Sequence, residues 1–594
     1  MQKLATFVVF QFCNKSRLIK YMAVVRYRSL LLLGLCAIWA HAHAQTPDAG
    51  ALQQQLQKQI PNPQVLPKPT APSKKVKPTE AKPGEVKVTI QGFRVDGNRS
   101  VPEDAIQNTL KPWLGKTVPF QELQKAADAV AALYQSYGKL AQVSVPPQKI
   151  NDGVVILKVL EAKLGAVHID MPNGPSRFGE DRARRYITDA NRLSEIIQTQ
   201  NIERSIYILN ETPGIAVATQ LEPGKHDGDV DLRVTLSDTK PYRGKLEANN
   251  YGSRSTGVIQ RVASVTFDNP GSYGDQLSLS NIKSLGSDYS LASYSLPVDT
   301  NGLRVGMTAS YLDYENVGKF AYPTSSAAGF GYAKTVGANL TYPILRSPEA
   351  NANFTAGADR KLYANKNAAD GTYTSDYRIE NMVLGLSGNQ FDSWNGGGVS
   401  SGSVTLTKGH IVVGGGRADY DANIPKTFTK YSFNLSRNQQ IVPDQTILTI
   451  SANAQLASVD LDSAEKFYLG GPNGVRAYPS SQGGGSQGAL INIELQQQLE
   501  DKVIATAFFD AGLVQQYKDK ALYDTNKGST NANNSYILKG VGAGLKRADK
   551  DIIWSASIAW KLGANPLYSA QGVAVNNDKR SNSAYLWAQV QWTF

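Results

Sequence analysis

From about Tyr242 to Phe594 apolar and polar residues alternate one for one in strand-length runs, and the helical period disappears. Leu448, Ile450, Ala452, Ala454 and Leu456 interleave with Thr449, Ser451, Asn453 and Gln455. Ile552, Trp554, Ala556, Ile558, Trp560 and Leu562 interleave with residues that include Ser555, Ser557 and Lys561, and Leu586, Ala588, Val590, Trp592 and Phe594 with Trp587, Gln589, Gln591 and Thr593. A period of two sends successive side chains to opposite faces of a sheet. About sixteen such segments fit into these ~350 residues, at ~22 residues per strand and loop. Lipid offers the backbone no hydrogen bonds, so a β protein spans it only as a closed barrel, apolar outside and polar inside. The pattern predicts a transmembrane antiparallel β-barrel. A soluble sandwich also alternates, but long strands with Gln, Lys, Asn and Thr on one face and a terminal aromatic fit a barrel with aromatic girdles better.

Upstream the texture differs. Leu52, Leu56 and Ile60 recur every fourth residue, which suits either a short helix with a thin apolar stripe or a solvated segment. Pro61 to Pro83, rich in Pro, Lys and Thr, reads as an extended tether. From Val86 a small α+β unit is expected: strands at Val86–Ile90 and Phe93–Asn98, a helix from Phe120 to Tyr137 with Leu123, Ala127, Val130, Tyr134 and Tyr137 on one face, then strands at Leu140–Val145 and Val154–Glu161. A second unit repeats the plan, with a strand from Gly165, helices over Glu180–Ile197 and Asn201–Leu209, and strands at Ile215–Leu221 and Asp229–Leu236.

The first residues add a location. Arg26 and Arg28 precede an apolar run from Ser29 to Ala40, and Ala42-His43-Ala44 is a small-x-small cleavage site, so an export leader over 1–44 is expected, with either Met1 or Met22 as its start. Cys13 and Cys36 both lie within it, so the mature chain has neither disulfides nor thiolate metal sites. The net charge of +12 is concentrated before residue 86: six basic residues and no acid in 1–44, and a net +3 in 45–85. Nucleic acid is therefore not an expected partner.

The candidate chemistry lies on a long Gly- and Pro-punctuated loop, roughly Ala457 to Gly488, containing Val475-Arg476-Ala477-Tyr478. Loops of this length inside a compact domain are usually functional or disordered. Downstream, Phe508-x-Asp510-x-Gly512 places an acid in an apolar strand. An arginine on the loop and a carboxylate inside the barrel can form a charge-assisted pair that holds the loop in the lumen. Enzyme patterns fail on context. Gly484-Gly485-Ser486-Gln487-Gly488 has the hydrolase spacing, but no His follows His410. Gly115-Lys116-Thr117 ends like a phosphate loop, with Leu110 where its first Gly belongs. His168, His226 and His410 lack metal-ligand spacing, and no cofactor is expected.

Val143-Ser144-Val145-Pro146-Pro147-Gln148 with Asp152-Gly153, Pro213-Gly214 with Leu221-Glu222-Pro223-Gly224, Asn249 to Gly257, and the two motifs around Arg476 and Asp510 resemble the TpsB transporters of two-partner secretion over essentially the whole mature chain. The family's Val-Arg-Gly-Tyr motif has Ala477 here, which implies an ordinary backbone angle at that position. The resemblance implies an outer-membrane, porin-like barrel over 239–594, POTRA domains at 86–162 and 163–238 in the periplasm, and a plug helix with linker over 45–85. It implies a monomeric, non-enzymatic export pore of a Gram-negative bacterium, embedded in outer-membrane lipid, whose POTRA domains bind one dedicated TpsA-like exoprotein in unfolded form. Leu52, Leu56 and Ile60 then face the pore as the plug, and Arg476 meets Asp510. A barrel-assembly insertase and a passive porin are the alternatives. The cargo and its possible activation are not encoded in these motifs.

Overall fold

The computed structural model describes residues 48–60, 87–150, 152–326, 328–414, 424–500, 502–526, 533–566, 576–580 and 582–594. The expected leader and most of the linker lie outside the described residues. Helix α1 (Ala49–Gln57) stands apart from the first α+β unit. That unit contains β1 (Lys87–Thr89), β2 (Gly92–Asp96), α2 (Glu103–Leu110), β3 (Thr117–Pro119), α3 (Phe120–Ser136), β4 (Ala141–Ser144) and β5 (Val154–Glu161). Its sheet runs β2-β5-β4, with β1 and β3 paired separately. Leu123, Ala127, Val130 and Tyr134 of α3 are buried as their spacing requires, whereas Tyr137 follows the helix and is exposed. Helix α2 was not expected from the pattern; only Ile106 and Leu110 are buried on it.

The second unit is built from β6 (Lys163–Asp170), α4 (Glu180–Thr188), α5 (Thr199–Asn210), β7 (Ile215–Pro223) and β8 (Asp229–Asp238), with sheet order β6-β8-β7. The expected helix to Ile197 stops at Thr188. The side chain of Asn191 donates to the carbonyl of Ile187, and Ser194 adopts φ +65°, so the chain turns instead of continuing.

Sixteen antiparallel strands close into a barrel. They are β9 (Tyr242–Asn249), β10 (Gln260–Asp268), β11 (Gln276–Lys283), β12 (Ser287–Pro297), β13 (Arg304–Glu315), β14 (Gly329–Arg346), β15 (Ala350–Asn367), β16 (Tyr373–Asp392), β17 (Gly398–Val413), β18 (Thr427–Val442), β19 (Thr446–Ala457), then, after the inserted hairpin β20 (Phe467–Tyr468) and β21 (Gly484–Gly485), β22 (Gln487–Gln498), β23 (Val503–Gln515), β24 (Ser535–Asp549), β25 (Ile552–Lys561) and β26 (Ala584–Thr593). Helix α6 (Lys520–Asn526) lies between β23 and β24. Strand β26 closes on β9 from Gln589↔Asn249 to Thr593↔Lys245.

The second unit is fastened to the turns at one end of the barrel. Arg346 Nε donates to Glu211 Oε1 at 2.7 Å, Arg204 Nη2 to the Pro343 carbonyl at 2.6 Å, and Thr300 Oγ1 to Asp189 Oδ2 at 2.8 Å. Burial raises the carboxyl pKa of Glu211, and Arg346 opposes that rise.

Candidate functional site

The loop between β19 and β22 turns back into the barrel because its apolar residues have a wall to pack on. Leu469, Val475, Ala477 and Tyr478 are fully buried, and they join Phe508, Val514, Tyr536, Leu538 and Ala559 in one apolar cluster. The β20–β21 pair narrows the loop's neck. Its tip is tied internally: Val475 N–H donates to Leu469 O at 2.7 Å, and Tyr478 N–H to Val475 O at 3.1 Å. Ala477 is not among the positive-φ residues, so its methyl costs the backbone nothing.

The structure brings Arg476 and Asp510 together. Arg476 Nε donates to Asp510 Oδ2 at 2.9 Å, Nη2 to Oδ1 at 2.6 Å, and the backbone N–H to Oδ2 at 3.0 Å. The guanidinium lies 3.4 Å from the centroid of the Phe508 ring. Asp510 is fully buried, and Asn492 Nδ2 also donates to its Oδ1 at 2.7 Å. Planar bidentate pairing of this kind fixes orientation as well as position. Two partners were not foreseen from the sequence. Glu494 Oε1 accepts from Arg476 Nη1 at 2.6 Å, and Trp587 Nε1 donates to the Arg476 carbonyl at 2.7 Å. Both sit on inward positions of the alternating strands, which was the available signal.

The third motif residue, Gly512, makes room. A Cβ there would lie 2.6 Å from Leu469 Cδ2. On β24, a Cβ on Gly540 would meet Ala477, and one on Gly542 would lie 2.2 Å from the Phe508 ring. The loop tip therefore seats in a glycine-lined strip of wall.

Helix α1 occupies the lumen. Leu52 and Leu56 are buried against Tyr289, Leu312, Tyr363, Tyr377 and Leu461, and Ile60 packs on the edge of the same cluster. The barrel interior is thus not uniformly polar, contrary to the simple alternation rule; an apolar patch of the inner wall matches the apolar stripe of the helix. Asp48 caps the helix by accepting from Ala51 N–H at 2.9 Å. The glutamines bind it in place. Gln53 Nε2 donates to Thr335 Oγ1 at 2.9 Å while its Oε1 accepts from Tyr363 at 3.0 Å, and Gln54 Nε2 donates to the Lys466 carbonyl at 2.9 Å.

Helix and loop also meet each other. Ser463 Oγ donates to Asp48 Oδ2 at 2.6 Å, Ser481 Oγ donates to Gln55 Oε1 at 3.0 Å, and Gly50 lies so close to the loop that a Cβ would sit 2.6 Å from that of Ala464. Two loop carboxyls, outside the membrane-spanning strands, respond to this burial in opposite ways. Burial, with Asp48 nearby, pushes Asp462 up to about 7. Burial would also raise Glu465, but Lys361 and Lys430, at 2.8 and 2.6 Å, hold it well below the usual carboxylate range.

Residues 228–547 match the family described as haemolysin secretion/activation protein ShlB/FhaC/HecB, and residues 88–162 match the ShlB-type POTRA domain. The chain belongs to the ShlB/FhaC/HecB family. Members of this family are TpsB two-partner secretion transporters of the outer membrane, and the POTRA domains lie on the periplasmic side. The heme/hemopexin transporter protein HuxB of Haemophilus influenzae is 28% identical over 471 residues, which is 76% of this chain and 79% of that protein. The outer membrane transporter CdiB of Escherichia coli is 23% identical over 81% of this chain and 82% of its own length. The solved structure of Escherichia coli CdiB superposes with a TM-score of 0.69 at 19% identity, covering 92% of this chain and 99% of that one; CdiB from Acinetobacter baumannii gives 0.65 at 18%, covering 91% and 96%. At those identities the superpositions speak to fold.

Proposed function

We propose that this family member exports one dedicated exoprotein through the barrel lumen, with α1 as a removable plug and the Arg476 loop as a fixed inner brace. The single observation that carries the reading is the lumen itself: a helix held by side-chain amides and two leucines, with no ion pair to the wall among the described residues, lies beside a loop held by a bidentate ion pair. Glutamine contacts can be exchanged for water or for a passing chain at small cost, because each neutral hydrogen bond contributes only about 1 kcal/mol net. A buried charge pair cannot, so the loop stays while the helix leaves.

In this reading the unit boundaries are 1–44 for the leader, 45–85 for plug and tether, 86–162 and 163–238 for the two POTRA domains, and 239–594 for the barrel. The POTRA sheets end in open edges, β4 and β7, each paired on one side. An unfolded cargo adds to such an edge main chain to main chain and is passed to the pore. One chain makes one pore, so the transporter works as a monomer. Folding of the emerged cargo outside the cell supplies the direction.

The test is to express a candidate cargo, a large, strand-repetitive protein sought beside the transporter gene, with and without the transporter, and to score that protein in the medium. Its appearance only with the transporter supports the reading; release without it, or arrest by a protonophore after periplasmic delivery, counts against the export or the energy argument respectively.

A further inference from the structure

On much of the barrel the outward face is apolar, as with Ala452, Ala454 and Leu456 on β19 and Ala489, Ile491 and Ile493 on β22. Strands β14 to β17 differ. Lys334, Arg360, Arg378 and Lys408 are exposed and alternate with the inward residues Thr335, Tyr363, Tyr377 and Thr407. The register clusters them: Leu362 faces both Lys334 and Arg378, Arg360 faces Glu380, and Lys408 faces Met382.

Their height is informative. Lys334 is 12 residues from the Arg346 end of its strand, Arg360 10 from Ala350, and Lys408 10 from Gly398; the Arg346 end is fastened to the second POTRA domain. With a rise of ~3.3 Å and a tilt of ~40°, each residue climbs about 2.5 Å, placing the cluster ~25–30 Å above the periplasmic turns, at the outer edge of a ~25 Å apolar band. The outward rows continue beyond the charges with Tyr332 and Phe330 on β14 and Leu362 on β15, and with Asp376 on β16 and His410 on β17. These cations therefore mark the level at which the apolar band gives way to a polar rim.

Glu380 lies 2.9 Å from Arg360 and 3.1 Å from Arg378, so it orients both guanidiniums while neutralising one. Lys334 rests over Tyr332 and Tyr311, at 4.8 and 5.6 Å from the ring centres. Among the described residues neither Lys334 nor Lys408 has an ion-pair partner; Asp313 and Glu315, the outward acids at the end of β13, face Tyr332 and Phe330 in the register. Cations on a lipid-facing wall call for a counter-charge, and guanidinium forks suit phosphate oxygens.

We propose that Lys334, Arg360, Arg378 and Lys408 form a binding patch for the phosphorylated headgroup of a saccharolipid in the outer leaflet. The full-length protein in detergent, titrated with bisphosphorylated lipid A and followed by native mass spectrometry, tests this. At roughly fivefold per basic residue, the K334Q/R360Q/K408Q variant is expected to bind about 100-fold more weakly. Dephosphorylated lipid A is expected to bind the parent and the variant alike. K539Q, which removes an outward lysine between Ile537 and Val541 on β24, is expected to change nothing. Heat-modifiable gel mobility reports whether each variant is a folded barrel, and K334Q and K408Q alone, each expected at about fivefold, cover the case in which the triple variant does not fold. Equal binding by parent and variants, or equal binding of the phosphorylated and dephosphorylated lipids, overturns the proposal. Inorganic phosphate saturating the patch and displacing the lipid would assign it to a soluble anion and overturn it as well.

Discussion

A Cβ built on Gly540 would lie 2.6 Å from the Cβ of Ala477, so the loop supplies the methyl that the wall lacks. Overpacking a well-filled site costs about 1–3 kcal/mol. Gly540→Ala is expected to push the loop tip off its seat and cut cargo release by about tenfold, while the barrel stays folded by gel mobility. Adding Ala477→Gly should restore most of the release, the remainder being limited by the Trp560 carbonyl at 3.2 Å from the new methyl. A double variant no better than Gly540→Ala would refute the complementarity.

The two acids around Arg476 should differ in weight. Asp510 takes three hydrogen bonds from Arg476 and is fully buried, whereas Glu494 takes one and is partly exposed. Removing one partner of a buried pair costs up to about 3–5 kcal/mol, less where lumen water reaches it. Asp510→Asn is therefore expected to loosen the loop strongly and Glu494→Gln mildly, with Arg476→Lys nearer the former because the fork is lost. Limited proteolysis within 467–485 reads this order.

If α1 is the plug, its retention rests on amides and two leucines. Deleting 45–60 should raise single-channel conductance in planar bilayers. Gln53→Ala removes three hydrogen bonds, to Ser310, Thr335 and Tyr363, and should raise the frequency of open events without altering the open level. A constant closed level in both variants would disconnect α1 from gating.

The contact between helix and loop should also depend on pH. Asp462, pushed up to about 7 by burial and by Asp48, favours its protonated form while the helix is docked. A carboxyl whose pKa is raised in one state stabilises that state at low pH and loses the contribution as pH climbs from its free value toward the raised one. Docking should therefore weaken between about pH 4 and pH 7, seen as more frequent opening at the upper end, and Asp462→Asn should flatten the profile.

The alternating strands, the buried face of α3 and the meeting of Arg476 with Asp510 could be read from residue order, because period, spacing and charge are local or pairwise signals. The remainder required the third dimension. Glu494 and Trp587 join Arg476 only because barrel closure brings β22 and β26 to one tip. The glutamines of α1 look like generic polar filler until Ser310, Thr335 and Tyr363 face them across more than 250 positions of chain. The apolar inner patch is split over many strands, one or two residues in each, so no window of sequence shows it. The extension of the α4 pattern to Ile197 failed because buried Ile197 lies in an extended stretch, its N–H donating to the Ala162 carbonyl and its neighbours Ile196 and Gln198 bridged to Lys163 and Lys139.

That inner patch has a life beyond holding α1. If α1 leaves as proposed, Tyr289, Leu312 and Tyr363 are left as a bare greasy ledge on the inner wall. In that reading a travelling polypeptide with apolar side chains of its own would find there the same foothold the departing helix had, so entry of the passenger and return of the stopper would exclude each other. Competition for one landing place would then be what guards the corridor.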